Sequence, residues 1–251
     1  MILWRKCWAV AKKDIWVYYK KGPVLIFGIL FPVFLFLAFA IGRDMPPDRL
    51  APGLIGMALF FTASATTPTV FPFETRTGTL ERLLAAPLDM KTLLIGDILA
   101  AFLFGVGLSA VPVFISLTFL GASLASAPVL IAAVIASALC FAVMGTLFST
   151  PPTDDPASIM TLANLVRLPL IFFSGVFLPI RQMPEWGQVL SYFSPLTYTT
   201  ETMRFALGQD TSIPPGEALV MIDEVVLHLH PRWQQRILGD LLKTFPNTQF
   251  F

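Results

Sequence analysis

The chain has 251 residues, of which 55% are hydrophobic and 13% are charged, about half the charged share of an ordinary soluble domain. A mean hydropathy of +0.73 argues against a soluble globule, which needs more charge at its surface, and against intrinsic disorder. A net charge of +1 and only two cysteines exclude a basic nucleic-acid binder and a disulfide framework. The class that remains is an all-α polytopic membrane protein.

Residues 1–22 precede the first long apolar segment and carry six of the 17 Lys and Arg residues of the chain. Trp4, Trp8 and Tyr18 recur at helical spacing among these basic residues. The pattern predicts an amphipathic helix in the cytoplasmic interface, with its aromatic rings at headgroup depth. This helix either only orients the chain or also touches a cytoplasmic partner. A cleaved signal peptide is less favoured, because both the basic and the apolar segments are long for that role.

Five apolar segments are long enough to cross a bilayer, since a span needs roughly 20 mostly apolar residues. Backbone polar groups must be satisfied internally in lipid, so these segments are predicted to be helices. The predicted spans are 23–41, 52–72, 98–120, 127–150 and 159–180.

Charged residues fix the predicted orientation and bear on the energy source. Lys and Arg number six in 1–22 and three in 73–97, against two each in 42–51 and 181–212, so the N-terminus is predicted to be cytoplasmic. Arg167 is the only charged residue within the five spans, and it is expected to snorkel toward the inner surface. The scarcity of charge at membrane depth argues against ion-coupled transport, so the driving energy is expected to come from another source.

The predicted cytoplasmic loop 73–97 contains a short amphipathic helix. Gly78 can supply a turn, Thr79 can cap the helix, and Pro87 ends it. Its apolar stripe has i, i+3, i+4 spacing and consists of Leu80, Leu83 and Leu84. Such a helix either docks into a groove on a soluble protein or packs on its own bundle or on lipid. Spacing alone does not decide between these alternatives.

This loop resembles the ETRTGTLERLLAAPL signature of ABC-2 type permeases, the membrane subunits of ABC exporters. The matching residues that the resemblance assigns to ATPase coupling are Glu74, Gly78, Thr79, Leu80, Glu81, Arg82, Leu83, Leu84 and Pro87. A second segment resembles the family's fifth span and its extracytoplasmic continuation. Its matching residues are Ser174, Gly175, Pro179, Pro195, Tyr198 and Arg204.

The resemblance covers about residues 1–212 and implies a full architecture. It implies six spans per subunit, a homodimer or heterodimer of permease subunits, and a location in the cell membrane. It also implies a separate ABC ATPase docked on the loop helix, with Glu81 and Arg82 at the contact. ATP and Mg²⁺ are then bound by that partner, and no cofactor or metal is expected on this chain. The predicted domains are an interfacial helix at 1–22, a transmembrane domain at 23–212 and a tail at 213–251.

The tail departs from the family because Asp223 and Glu224 interrupt the apolar segment where a sixth span is expected. Residues 217–251 resemble instead a Walker B fragment of an AAA-type or RecF-like ATPase, with a strand that ends in a Mg²⁺-binding Asp223 and a catalytic Glu224. No P-loop motif occurs in the chain, so this fragment is expected to be inactive. Either a fused or truncated reading frame or a divergent C-terminus accounts for it.

The resulting functional prediction is a permease subunit of an ABC exporter that moves a drug-like molecule, a lipid or a polysaccharide. The chain itself is not expected to be an enzyme. The alternatives are an integral membrane enzyme and a membrane scaffold without transport activity. An enzyme is less favoured because neither a Ser/His/Asp arrangement nor an H-E-x-x-H motif is present.

Overall fold

The computed structural model describes residues 2–40, 46–86, 88–149, 153 and 155–229. The fold is helical, and these residues contain no strand, which confirms the all-α class. The helices are α1 (Ile2–Asp14, continued by a π-helical turn Ile15–Tyr19), α2 (Gly22–Ala40), α3 (Pro47–Ser64), α4 (Thr67–Arg76), α5 (Thr79–Ala85), α6 (Met90–Thr118), α7 (Ala127–Phe148), α8 (Pro156–Phe173), α9 (Glu185–Ser191), α10 (Pro195–Ala206) and α11 (Pro215–Leu229).

Four helical segments of the described chain are long and apolar enough to cross a membrane. They are Pro47–Arg76, Met90–Thr118, Ala127–Phe148 and Pro156–Phe173. Helix α2, 19 residues long and without a charged residue, corresponds to the first predicted span, which stays a prediction.

Three predicted spans differ in their bounds from the helices that contain them. The span predicted at 52–72 begins at Pro47 and is broken after Ser64, and the one predicted at 98–120 begins at Met90. The span predicted at 159–180 ends at Phe173, because the chain turns through Gly175, whose φ of +77° favours glycine. Hydropathy locates apolar segments but does not detect helical turns that continue into polar sequence.

Helix α3 is the centre of the bundle, with contacts to α2, α6, α7 and α10. Aromatic and small side chains fill these contacts. The rings of Phe60 on α3 and Phe141 on α7 meet edge to face, with centroids 4.9 Å apart. On α6, a Cβ added at Gly105 would lie 2.8 Å from the Cβ of Ala63, so this glycine permits the close α3–α6 approach.

The chain segments at one end of the bundle are joined by hydrogen bonds to backbone carbonyls. The N–H groups of Ala125 and Ser126 both donate to the carbonyl of Ala206 at 3.0 Å. The side-chain amide of Gln209 donates to the carbonyl of Asp48 at 2.7 Å. Helix α5 follows α4, at the far end of α3 from Asp48. We call the end of the bundle that contains Asp48 the loop end, and the end that contains α5 the α5 end.

Residues 219–224 are helical, so the predicted Walker B strand is wrong. Helix α11 packs on α7 and α10, and its residues Ala218 and Ile222 are fully buried. A strand would need neighbouring strands for its hydrogen bonds, whereas a helix satisfies its own backbone against the bundle.

Candidate coupling site

Helix α5 is held close to the end of α4 by a tight turn. Gly78 has a φ of +66°, as the predicted turn requires, and it precedes the first residue of α5. Thr79 does not cap α5, which corrects the prediction. Its hydroxyl donates to the carbonyl of Glu74 at 3.2 Å, so it caps the end of α4 instead. Ala86, after α5, is extended, as a residue before proline should be. Pro87 itself lies outside the described residues.

The apolar stripe of α5 packs on its own bundle. Leu80, Leu83 and Leu84 are partly buried against a small apolar cluster formed by Val10, Phe71 and Leu93. This is the second of the two alternatives that spacing left open. The exposed face of α5 consists of Glu81, Arg82 and Ala85.

A polar cluster lies behind α5 and joins α1 to α4. Glu74, with 3% of its surface exposed, accepts hydrogen bonds from the Lys13 ammonium and, at 3.4 Å, from the Tyr18 hydroxyl. Lys13 Nζ also lies 2.9 Å from Asp14 Oδ1. Helix α1 and the end of α4 are therefore linked by an ion pair with a buried carboxylate, which the sequence did not predict.

Burial changes the protonation of the side chains from α1 and the turn after it. Desolvation raises the pKa of Asp14 to about 6, although the nearby Lys13 ammonium opposes the increase. Desolvation, with the neighbouring carboxylates of Glu74 and Asp14, also raises the pKa of Tyr18.

Asp97 is a second buried acid that the sequence interpretation did not identify. It is 1% exposed, and neither of its carboxylate oxygens has a hydrogen-bond partner among the residues that the structure describes. The predicted span began one residue later, at 98, so Asp97 was assigned to the loop. The earlier start of α6 at Met90 brings it into the bundle.

Helix α1 packs on α6 at a glycine. A Cβ added at Gly96 would lie 2.6 Å from the Cβ of Val10 and 3.2 Å from the carbonyl oxygen of Cys7. The other face of α1 exposes Trp4 and Trp8, as expected for a helix at a membrane interface.

The second sequence motif comes together in space. Arg204 on α10 donates to the carbonyl of Gly175 at 2.5 Å and to the carboxylate of Glu201. Glu201 also accepts from the N–H of Ser212 at 2.5 Å. The arrangement joins the turn after α8 to the segment that leads into α11. The sequence motif did not include Glu201, because its role depends on this long-range contact.

The other residues of this motif make local contacts. The Ser174 hydroxyl donates to the carbonyl of Ile171 at 2.7 Å, and the Tyr198 hydroxyl donates to the carbonyl of Tyr192 at 2.8 Å. Pro179 precedes a 3₁₀ turn, and Pro195 is the first residue of α10, where a missing N–H costs nothing. The motif therefore shapes the chain rather than presenting reactive groups.

Arg167 does not snorkel, which corrects the prediction. It is 1% exposed and turned into the bundle, where it donates to the carbonyl of Ser64. A long side chain can bend toward a strong hydrogen-bond acceptor, and for Arg167 this acceptor, the Ser64 carbonyl, lies inside the protein.

The two Walker B-like residues of the tail lie on a helix. Asp223 is exposed on α11, and Glu224 lies on the same helix. Residues 230–251, which hold most of the resemblance to an ATPase, lie outside the described residues. Within the described ranges, no group of three His, Cys, Asp or Glu side chains could hold a metal ion.

Comparisons with known proteins agree with both resemblances. A family model described as ABC-2 type transporter matches residues 5–207. The putative transport permease ycf38 of Cyanophora paradoxa is 29% identical over 218 residues, covering 78% of this chain and 72% of that protein. The inner membrane transport permease YadH of Escherichia coli (strain K12) is 25% identical over 205 residues, covering 80% of this chain and 79% of that protein.

A short match is to a protein of a different class, an ATPase. The Retron Vc95 probable ATPase of Vibrio cholerae is 60% identical over 35 residues, which cover 14% of this chain and only 7% of that ATPase. The chain therefore shares a small fragment with this protein and spans little of its length.

Proposed function

Because this chain belongs to the ABC-2 type transporter family and is a membrane permease subunit of an ABC transporter, we propose that it exports its substrate from the cytoplasm, with ATP hydrolysed by a separate subunit docked on α5. The proposed substrates are drug-like molecules, lipids or polysaccharides. The proposed location is the cell membrane, with α1 and α5 on the cytoplasmic side and ATP and Mg²⁺ on the partner.

One observation supports α5 as the docking helix. Its apolar stripe is occupied by the bundle, while the charged side chains of Glu81 and Arg82 remain exposed. A helix that packs by its apolar face and presents adjacent opposite charges suits recognition by a polar surface with complementary charge.

The position of α5 suits the transmission of force. Its leucines pack against Val10 of α1 and Leu93 of α6, and Glu74 just before it is bound to Lys13. Movement of α5 would therefore be transmitted to three helices at once. In this proposal the exposed charges select the partner, and the buried contacts carry the movement into the membrane.

The test is capture of an ABC ATPase by the affinity-tagged permease, followed by identification of the ATPase and assay of its ATP hydrolysis. The double variant Glu81→Lys/Arg82→Glu keeps the net charge and should reduce capture about tenfold, equivalent to ~1.4 kcal/mol. The matched control is Arg49→Glu/Glu185→Lys, which reverses one exposed acid and one exposed base away from α5. Equal capture by both variants and the unmodified protein would contradict docking on α5.

Export direction is tested in inverted membrane vesicles. ATP-dependent accumulation of a labelled lipid or drug-like dye inside such vesicles is expected for an exporter. Accumulation only in right-side-out vesicles would indicate import.

A further inference from the structure

The break between α3 and α4 leaves a buried carbonyl without its usual donor. In a continuous α-helix the N–H of residue 68 would donate to the carbonyl of Ser64. Residue 68 is proline, which has no N–H, and α3 ends at Ser64. Ser64 is fully buried. An unpaired buried carbonyl is costly, so this position requires a donor from elsewhere.

Arg167 on α8 supplies that donor. Its Nη2 donates to the Ser64 carbonyl, and its Nη1 donates to Asn164 Oδ1 at 3.4 Å. The guanidinium carbon lies 5.5 Å from the centroid of the Phe148 ring, within the range of a cation–π contact. The ion pairs found among the described residues do not include Arg167.

Helix α7 closes the other side of the break at a glycine. A Cβ added at Gly145 would lie 2.6 Å from the Thr67 hydroxyl and 3.0 Å from the same Ser64 carbonyl oxygen. The joint between α3 and α4 is therefore enclosed by α7 and bound by α8. Arg167 is the long-range contact that replaces the missing helical hydrogen bond.

We propose that Arg167 is a positioning residue for transport: its guanidinium replaces the backbone donor that Pro68 removes, and so fixes the angle at which α4 carries α5. The part that concerns transport rests on the proposed function, because it needs α5 to face the ATPase. The same helix α8 ends at Phe173, just before Gly175, whose carbonyl Arg204 binds. Helix α8 therefore contacts the α3–α4 joint through Arg167 and ends just before the turn that Arg204 binds.

The angle can be measured in the permease alone. Spin labels are placed on Ala85→Cys in α5 and Leu124→Cys at the loop end, both exposed, while the natural Cys7 and Cys140 are buried. A narrow distance distribution is expected without further change. Arg167→Met should widen the distance distribution about twofold, because the joint loses its hydrogen-bond donor. Residues in loops and at the ends of helices are where hinge motion is absorbed.

A backbone rescue separates this role from general damage. Pro68→Ala restores the N–H at residue 68, so Pro68→Ala/Arg167→Met should recover the narrow distribution. The control pair of spin labels is placed on Lys91→Cys and Leu124→Cys, which lie outside α4 and α5. Its distance distribution should not change in any variant. An unchanged Ala85–Leu124 distribution in Arg167→Met would contradict the proposal. If Arg167→Met is not recovered as a folded protein, recovery of the double variant supports the proposal and its loss contradicts it.

The link to transport is measured in the complex with the captured ATPase. Trapping with ATP and vanadate is expected to shift the Ala85–Leu124 distance. Arg167→Met should reduce this shift about fivefold while capture of the ATPase is retained, because the docking face is unaltered. A full shift in Arg167→Met would contradict the positioning role. Failure to capture any ATPase would count against the proposed function. The Ala85–Leu124 distance distribution in the permease alone would still test whether Arg167 fixes the angle between α3 and α4.

Discussion

At the scale of single residues, the buried charges at the α5 end show what the protein stabilises. Among the residues that the structure describes, Glu74 has two donors, Lys13 and Tyr18, whereas Asp14 is paired only with Lys13, its neighbour in the chain. A carboxylate with so few partners is costly to ionise when buried, since desolvation exceeds what one ammonium group returns. Asp14 is therefore a residue at which stability should respond to pH.

The pH dependence at Asp14 has a definite sign. Its pKa is about 6 in the folded protein against 3.8 for the ordinary side chain, so the folded state favours the protonated form. The stabilising contribution is complete below about pH 4 and is lost as the pH rises to about 6. Asp14→Asn should match the unmodified protein at low pH and be more stable at pH 7 by at most about 3 kcal/mol.

Thermal unfolding in detergent at several pH values measures this difference. Asp155→Asn is the control, because hydrogen bonds from the Ser158 hydroxyl and from the N–H groups of Ala157 and Ser158 lower the pKa of Asp155. The contribution of Asp155 to stability has the opposite pH dependence and is lost as the pH falls. Because Asp155→Asn leaves Asp14 in place, this variant should still lose the stability contribution of Asp14 as the pH rises to about 6. A constant difference between Asp14→Asn and the unmodified protein across pH 4–7 would refute the assignment.

At the scale of helices, small residues decide which elements approach closely. Gly96 lets α1 lie against α6, Gly105 lets α6 lie against α3, and Gly145 lets α7 lie against the α3–α4 joint. In lipid the hydrophobic effect does not drive helices together, so close van der Waals packing carries much of the association. A methyl group at such a glycine should therefore separate the two helices.

The α1–α6 contact provides a matched pair of substitutions. Gly96→Ala should lower the free energy of unfolding by about 1–3 kcal/mol, because its Cβ would overlap the Val10 side chain. Gly107→Ala on the same helix has no atom within 4 Å of the added Cβ and should be neutral or slightly stabilising. Thermal unfolding in detergent compares the two, and equal losses would show that the Gly96 contact has no special importance.

At the scale of the whole molecule, the connections place α1 and α5 at one end and the 121–126 loop at the other. Which of these ends is cytoplasmic stays a prediction from the Lys and Arg counts. Two polar assemblies, the Glu74 cluster and the Arg204–Glu201 pair, are linked through the bundle by α3, α4 and α8. This arrangement suits a protein that responds at one surface to a partner and changes shape near the other.

Orientation is testable with an impermeant thiol reagent on intact cells. Leu124→Cys should be labelled and Ala85→Cys should not, because α5 is proposed to be cytoplasmic; both sites should react after the membrane is permeabilised. The buried Cys7 and Cys140 should give little background. Labelling of Ala85→Cys in intact cells would place α5 outside and remove the basis for docking an ATPase there.

The sequence by itself determined the class, four apolar segments that the structure shows as helices, the turn at Gly78 and the family, because hydropathy, charge and local spacing are properties of the chain read in order. It did not determine the burial of Asp97 or the true start of α6, since polar residues can extend an apolar helix into the bundle. The resemblance to an ATPase fragment also led to a strand being predicted at residues 219–224. These residues are helical because they pack on the bundle, which the sequence does not display.

Only the tertiary structure decided which face of α5 is free, which acceptor Arg167 reaches, and how Gly175, Glu201 and Arg204 come together. Each of these depends on which helices are neighbours, with Ser64 and Arg167 separated by 103 positions in the chain. An apolar stripe has the same pattern whether it packs on its own bundle or on another protein. The partner of a buried polar group is set by packing, and packing is a property of the assembled helices rather than of any one segment.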